Sequence, residues 1–217
     1  MYTINQARSI AINSVQDYET ILKNKQFIVI YRDAVLKDTK YIEIVFLSRN
    51  YQHLTGLVFL DDKGMEVHGK ADYFYKKCFE KKLANKDIAF KKDGTTQLKL
   101  EALPAVVRFT SISKITGDSN GNQPFLYDDK LVGGVNFCIG LRIDDKIGQY
   151  VPVSALQRNI KELTDKPSQV LAIFERNYGD TSVYKKIRHV AKDCDLYEAD
   201  LSQEILKKIS LQNYKKK

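Results

Sequence analysis

At about residue 105 the hydrophobic period of this chain changes, and that change limits the fold more than any other feature. Before it, apolar residues recur at helical spacing: Ile4, Ala7, Ala11, Val15, Tyr18 and Leu22 share one face, and Ala71, Phe74, Tyr75, Cys78 and Phe79 share another. After it come short β-rich runs at 106–112, 124–132, 135–143, 149–153, 170–176 and 183–190. Gly117-Asp-Ser-Asn-Gly121, Gly133-Gly134, Asp144-Asp145 and Asn177-Tyr-Gly-Asp180 supply turns between them. Strands this close together, with at most one short helix between, favour an antiparallel sheet. Helices first and a meandering sheet second make an α+β fold.

The first half can be read further. Thr3-Ile-Asn-Gln6 has capping-box form and predicts a helix over 4–24. Residues 27–31 and 41–47 read as strands joined by a polar loop at 33–40, and 57–60 as another apolar run. Thr95 or Thr96 is placed to cap a short helix that Pro104 ends. A last helix over 201–213 is expected behind Asp200, with Gln203 in the box position and a frayed lysine tail. The expected division is an N-terminal helix (1–25), an α+β domain (26–192), and a C-terminal helix with its basic tail (193–217).

The 217 residues are 43% hydrophobic and 11% aromatic, enough for a sizeable core without tryptophan. No run approaches the ~20 apolar residues of a membrane span, and the N-terminus lacks a signal-peptide pattern. A soluble, cytoplasmic protein is expected. Cys78, Cys138 and Cys194 are odd in number and far apart, which fits neither a disulfide framework nor a zinc site. The net charge of +8 favours a polyanionic partner, or serves as a lysine-rich solvated surface.

Gly64-Met-Glu-Val-His-Gly-Lys-Ala71 satisfies the phosphate-loop spacing but puts Ala71 where a magnesium-binding hydroxyl belongs and Glu66 among the phosphates. It reads as a turn before a helix. No metal-ligand cluster, serine-nucleophile elbow or dinucleotide fingerprint is present, so no cofactor or metal is expected. Cleavage of RNA by its own 2′-hydroxyl needs only a base, an acid and cations around the phosphorane. His53, in the polar stretch Asn50-Tyr-Gln-His-Leu-Thr-Gly-Leu57, suits the proton transfer, beside Thr55. Arg142 and Ser154 suit contact with the phosphate, as does the run Tyr184-Lys-Lys-Ile-Arg188, where alternation puts Tyr184, Lys186 and Arg188 on one face and Lys185 on the other. Lys76 and Lys77 add to the basic surface. Each has a plainer reading: His53 as a loop residue, Ser154 as the N-cap of a helix through Leu163, and the 184–188 row as a solvated face.

The order of several segments resembles a known family. These are His53-Leu-Thr-Gly56 after a Tyr-x-Glu strand, Ala71-Asp-Tyr-Phe-Tyr-Lys-Lys-Cys78, Asp87-Ile88, Lys99-Leu-Glu-Ala-Leu-Pro104 and Val151-Pro-Val-Ser154. The resemblance is to the phage-encoded nuclease-like domains grouped with barnase, EndoU, the tRNA-cleaving colicins and RelE, the fourth such group most closely, over roughly 25–190. It implies helices packed on a curved antiparallel sheet and a metal-independent ribonuclease site on the exposed sheet face. It points to His53 and Thr55 most directly, and more weakly to Ser154 and the 184–188 strand.

The first expectation is therefore a ribonuclease of phage or mobile-element origin in the host cytoplasm. His53 and Thr55 would work in its site, Lys186 and Arg188 would stabilise charge, RNA would be its partner, and an inhibitor or host protein a further one. The alternative is a non-catalytic anti-defence protein that uses the same basic face to bind nucleic acid or a host protein. An ADP-ribosyltransferase-like enzyme ranks last, because Glu175 is its only candidate late-strand glutamate.

Overall fold

The computed structural model describes residues 1–121 and 128–216. Helix α1 (Ile4–Ile21) opens the chain; the Thr3 side chain accepts from Gln6 N–H and the Gln6 side chain reaches back, completing the expected capping box. Strands β1 (Lys25–Arg32) and β2 (Thr39–Phe46) form a hairpin in full register from Lys25↔Phe46 to Arg32↔Thr39. Helix α2 (Ser48–Thr55) follows, then β3 (Leu57–Phe59), α3 (Ala71–Phe79), β4 (Ile88–Phe90) and α4 (Thr95–Ala102). The small β3–β4 pair stands apart from the main sheet.

Two expectations for this half change. The stretch around His53 is a helix rather than a turn: Gly56 ends it in the left-handed conformation (φ 66°), and the run from Asn50 to Thr55 supplies its single buried face. The β-rich run at 106–112 is helical as well, as a 3₁₀ turn Leu103–Arg108 and helix α5 (Phe109–Ile112). Helix α4 ends at Ala102, just before Pro104, as expected, and Pro104 then sits in the first turn of the 3₁₀ segment, where a missing N–H costs little.

The second half supplies β5 (Ile115–Asp118), β6 (Lys130–Gly133), β7 (Cys138–Asp144), β8 (Gln149–Leu156), β9 (Ser168–Asn177) and β10 (Lys186–Val190). The start of the expected 124–132 strand lies outside the described residues. Helix α6 (Gln203–Lys208) closes the chain; Ser202, not Asp200, caps it, accepting from Ile205 N–H.

The α+β class stands, but the sheet is not an open curved one. Its strand order is β1-β2-β8-β7-β6-β5-β9, and β9 pairs back to β1, so seven strands close a barrel. Two narrow seams complete it: a single parallel pair, Ile44↔Tyr150, and the two pairs Ile115↔Gln169 and Thr116↔Ser168. Register shifts at Ile30/Tyr31 and at Gly140/Leu141 give the bends that closure needs. Strand β10 continues along the β9 edge beyond β5, outside the barrel.

Alternation then divides the core. Phe27, Val29, Ile42, Ile44, Phe46, Ile139 and Leu141 point inward and join residues from α1 to α4 in the main cluster. Ile28, Ile30, Ala172 and Phe174 point outward, where Tyr184, Leu196, Ile205 and Ile209 of the C-terminal segment cover them. Glu43 pins that cover: its carboxylate accepts from the Tyr184 hydroxyl at 2.8 Å and pairs with Lys208 at 3.1 Å.

Candidate active site

Several of the candidate residues, with a buried lysine, converge where α2 and α4 pack on β8. The sequence His53-Leu-Thr-Gly56 divides its tasks over one helical turn. His53 faces solvent while Leu54 is fully buried. The buried Thr55 hydroxyl donates to Gln52 C=O at 2.7 Å and accepts from Leu57 N–H at 3.1 Å, which ties off the helix end. Gly56 takes the left-handed cap, and a Cβ there would stand 2.9 Å from Lys99 Cδ. A glycine is therefore required twice over, by the backbone and by the lysine passing against it.

Lys99 is the residue that composition and spacing did not single out. It is 7% exposed, and its ammonium donates to His53 C=O at 3.2 Å and to Val153 C=O at 2.9 Å. Val153 can offer that carbonyl because it is the extra residue of a bulge, between the pairs Gly140↔Ser154 and Leu141↔Pro152. Pro152 sits at the same irregularity, where a missing donor is tolerated. Burial first, then the charge of Lys91, pushes the Lys99 pKa down to about 8, against the opposing pull of Asp128 and Asp93.

Ser154 occupies the strand interior, not a helix N-cap, because β8 runs through to Leu156 and only a 3₁₀ turn, Ile160–Glu162, follows. Its hydroxyl donates to Asp128 Oδ2 at 2.7 Å. The opposite residue, Gly140, makes room for this pair: a Cβ on it would lie 1.9 Å from Asp128 Oδ2 and 2.2 Å from Ser154 Oγ. Burial raises the Asp128 pKa, while Ser154, Lys99 and Arg142 act in the opposite direction. His53, open at the surface but packed along its sides, has its pKa lowered by burial first and then by Lys99, Lys91 and Arg142. The same cations thus act on the imidazole and on the carboxyl. A salt bridge from Arg49 to Asp144 at 2.8 Å fastens α2 to the end of β7, the strand that bears Arg142.

The structure brings together His53, Thr55, Arg142 and Ser154 and separates them from the 184–188 row. Between β7 and β9 stand β6 and β5, and between β8 and β9 stand β2 and β1; β10 lies beyond β9. The expected shared face also fails. Tyr184 precedes β10 and is fully buried, whereas Lys186 and Arg188 both pair with Glu175 at 3.1 Å. Lys185 lines an open cleft beside Lys25 and Arg176. Lys76 and Lys77 close α3, and Lys77 is held by Asp87 at 2.9 Å. A separate concavity of about 670 Å³ lies along β10 and the C-terminal tail, lined by Arg188, His189 and Lys192 among others. Among the described residues no three His, Cys, Asp or Glu side chains group as a metal site would, and no helix is long and apolar enough to cross a membrane.

Compared with known proteins, residues 12–192 match the family described as phage-Barnase-EndoU-ColicinE5/D-RelE like nuclease4. The match takes in every residue of the cluster just described, and the chain belongs to that family of nuclease-like proteins. No curated protein matches the chain, and no solved structure does.

Proposed function

We propose that this family member is a metal-independent ribonuclease whose site lies on the α2–β7–β8 face, and that nucleic acid meets the protein there. The observation that carries this reading is the placement of His53 beside Lys91, Lys99 and Arg142, close to the Ser154–Asp128 pair. A phosphodiester is the substrate that such a cationic surround suits, since developing phosphorane charge needs fixed positive groups in a partly water-excluded site. The same cations oppose a divalent metal ion at that spot, which favours proton transfer by side chains over metal-activated water.

In this reading His53 removes the proton from a 2′-hydroxyl. Its lowered pKa keeps the imidazole neutral, and so ready to accept, at physiological pH. O2′ then attacks phosphorus, Arg142 and Lys91 stabilise the equatorial oxygens, and the O5′ bond breaks to leave a 2′,3′-cyclic phosphate. Lys99 is too buried to reach the substrate; it positions His53 and Val153 through their carbonyls. Thr55 holds the end of α2 in place. Ribose specificity follows from the chemistry, since a strand without 2′-hydroxyls lacks the nucleophile.

The test is cleavage of total RNA in EDTA by the wild type beside His53→Ala and Arg142→Ala. The expected result is cyclic-phosphate ends from the wild type and a loss of roughly 10²–10⁴-fold in His53→Ala. A strict requirement for a divalent ion, or equal cleavage by His53→Ala, overturns the mechanism. Retention of RNA by a chain that cleaves none favours the binding-protein alternative.

A further inference from the structure

Transesterification needs a second proton transfer, to the departing 5′ oxygen, and the cluster contains a group built for it. We propose that Asp128 is the general acid of this site and that Ser154 holds its carboxyl in position. This assignment rests on the ribonuclease reading above.

The geometry carries it. Asp128 stands half-buried just before β6, and its neighbour Asp129 anchors the segment to β7, donating through N–H to Leu141 C=O at 2.8 Å and accepting from Ile143 N–H at 3.3 Å. The carboxyl reaches across β7 only because Gly140 has no side chain, and it meets the Ser154 hydroxyl at 2.7 Å on β8. Ser154 is 1% exposed, so its hydroxyl fixes one carboxyl oxygen and leaves the other as the reactive edge.

The groups facing Asp128 are Lys99 from α4, Arg142 and Cys138 from β7, Ser154 from β8 and its own neighbour Asp129. Lys99 and Arg142 also act on His53. The imidazole and the carboxyl therefore share two cations, Lys99 buried beneath them and Arg142 exposed at the surface, where a phosphate would bind. Burial moves the two groups in opposite directions, the imidazole down and the carboxyl up, so that both favour their neutral forms. A neutral base and a protonated acid on either side of a phosphodiester are the starting states the reaction requires. The proton balance closes: as the P–O5′ bond breaks, its electron pair goes to O5′, which takes the proton from Asp128. The resulting carboxylate is stabilised by Lys99, Arg142 and the Ser154 hydroxyl, then regains a proton from solvent.

Asp128→Asn, which keeps the shape, is assayed against wild type on two short RNAs. One has the ordinary 5′ oxygen at the scissile bond, and the other has sulfur there. Thiolate leaves without a proton, so a general acid matters only for the oxygen substrate. The expected result is a loss of roughly 10²-fold or more on oxygen and a rate close to wild type on sulfur. Equal loss on both substrates makes Asp128 structural and overturns the assignment, as does no loss on either. The wild type alone gives a second test that no misfolded variant can spoil: the high-pH fall of kcat/KM on oxygen must vanish on sulfur, and its persistence counts against the assignment. Wild type inactive on both substrates instead removes the ribonuclease reading, and this assignment with it.

Discussion

Replacing Lys99 by methionine isolates the electrostatics of the amine beneath α2. The folded chain holds this lysine at a pKa of about 8, against an ordinary value of 10.5. Between those values the unfolded chain binds more protons than the folded one, so stability rises with pH. At full slope one pH unit is worth about 1.4 kcal/mol. Integrating the titration of a group near 8 from pH 7.5 to 9 gives a gain of about 1 kcal/mol. Buried thiols act the other way above pH 9: burial raises Cys138 to about 12 and Cys78 further, so the unfolded chain loses those protons first. Methionine leaves those thiols in place, so their contribution cancels in the difference between the two proteins. The assay is urea unfolding followed by circular dichroism at half-unit steps over that window. At pH 7.5 the methionine also leaves the Val153 carbonyl without this donor, a cost of about 1–3 kcal/mol. The wild type should then gain a further ~1 kcal/mol on the variant by pH 9. Parallel stability curves would refute the reasoning, because they require an amine as well solvated when folded as when unfolded.

Two further outcomes follow from the packing. Gly140→Ala puts a methyl 1.9 Å from Asp128 Oδ2 and 2.2 Å from Ser154 Oγ, so it should cost about 2–4 kcal/mol through overpacking and the lost hydrogen bond; an unchanged urea midpoint contradicts the close approach. Lys186→Ala and Arg188→Ala, on the strand outside the barrel and paired to Glu175, should leave the rate of RNA cleavage unchanged, and a loss as large as that of His53→Ala would bring β10 into the site.

Local signals made much of the fold legible. The Thr3/Gln6 box, the β1–β2 alternation and the turn-punctuated second half each state their structure in a few neighbouring residues. Closure of the barrel could not be read that way. It depends on the single pair Ile44↔Tyr150 and on two pairs between β5 and β9, contacts more than fifty residues apart in the chain with no motif of their own. The apolar 106–112 run misled for a related reason. Branched residues on a continuous apolar stretch fit a strand or a buried helix equally well, and only the packing of Val106 and Phe109 against the main core decides between them.

The site divides along the same line, and the division shows what a sequence can reveal about chemistry. His53 stood out as a candidate because an imidazole titrates near neutral pH wherever it occurs. Lys99 and Asp128 are common residue types, and nothing about a lysine or an aspartate in a list of charged residues says that it is buried. Their signals were present but indirect. Gly56 and Gly140 each lack a side chain where one would strike these residues, at 2.9 Å for Lys99 Cδ and 1.9 Å for Asp128 Oδ2. The Pro152 bulge frees the carbonyl that Lys99 needs. A glycine facing a serine across a strand pair, next to a proline that forbids regular pairing, is costly for a sheet. Such a cost is offset where something fits into the gap, and here the side chains that fit are the Asp128 carboxyl and the Ser154 hydroxyl that binds it.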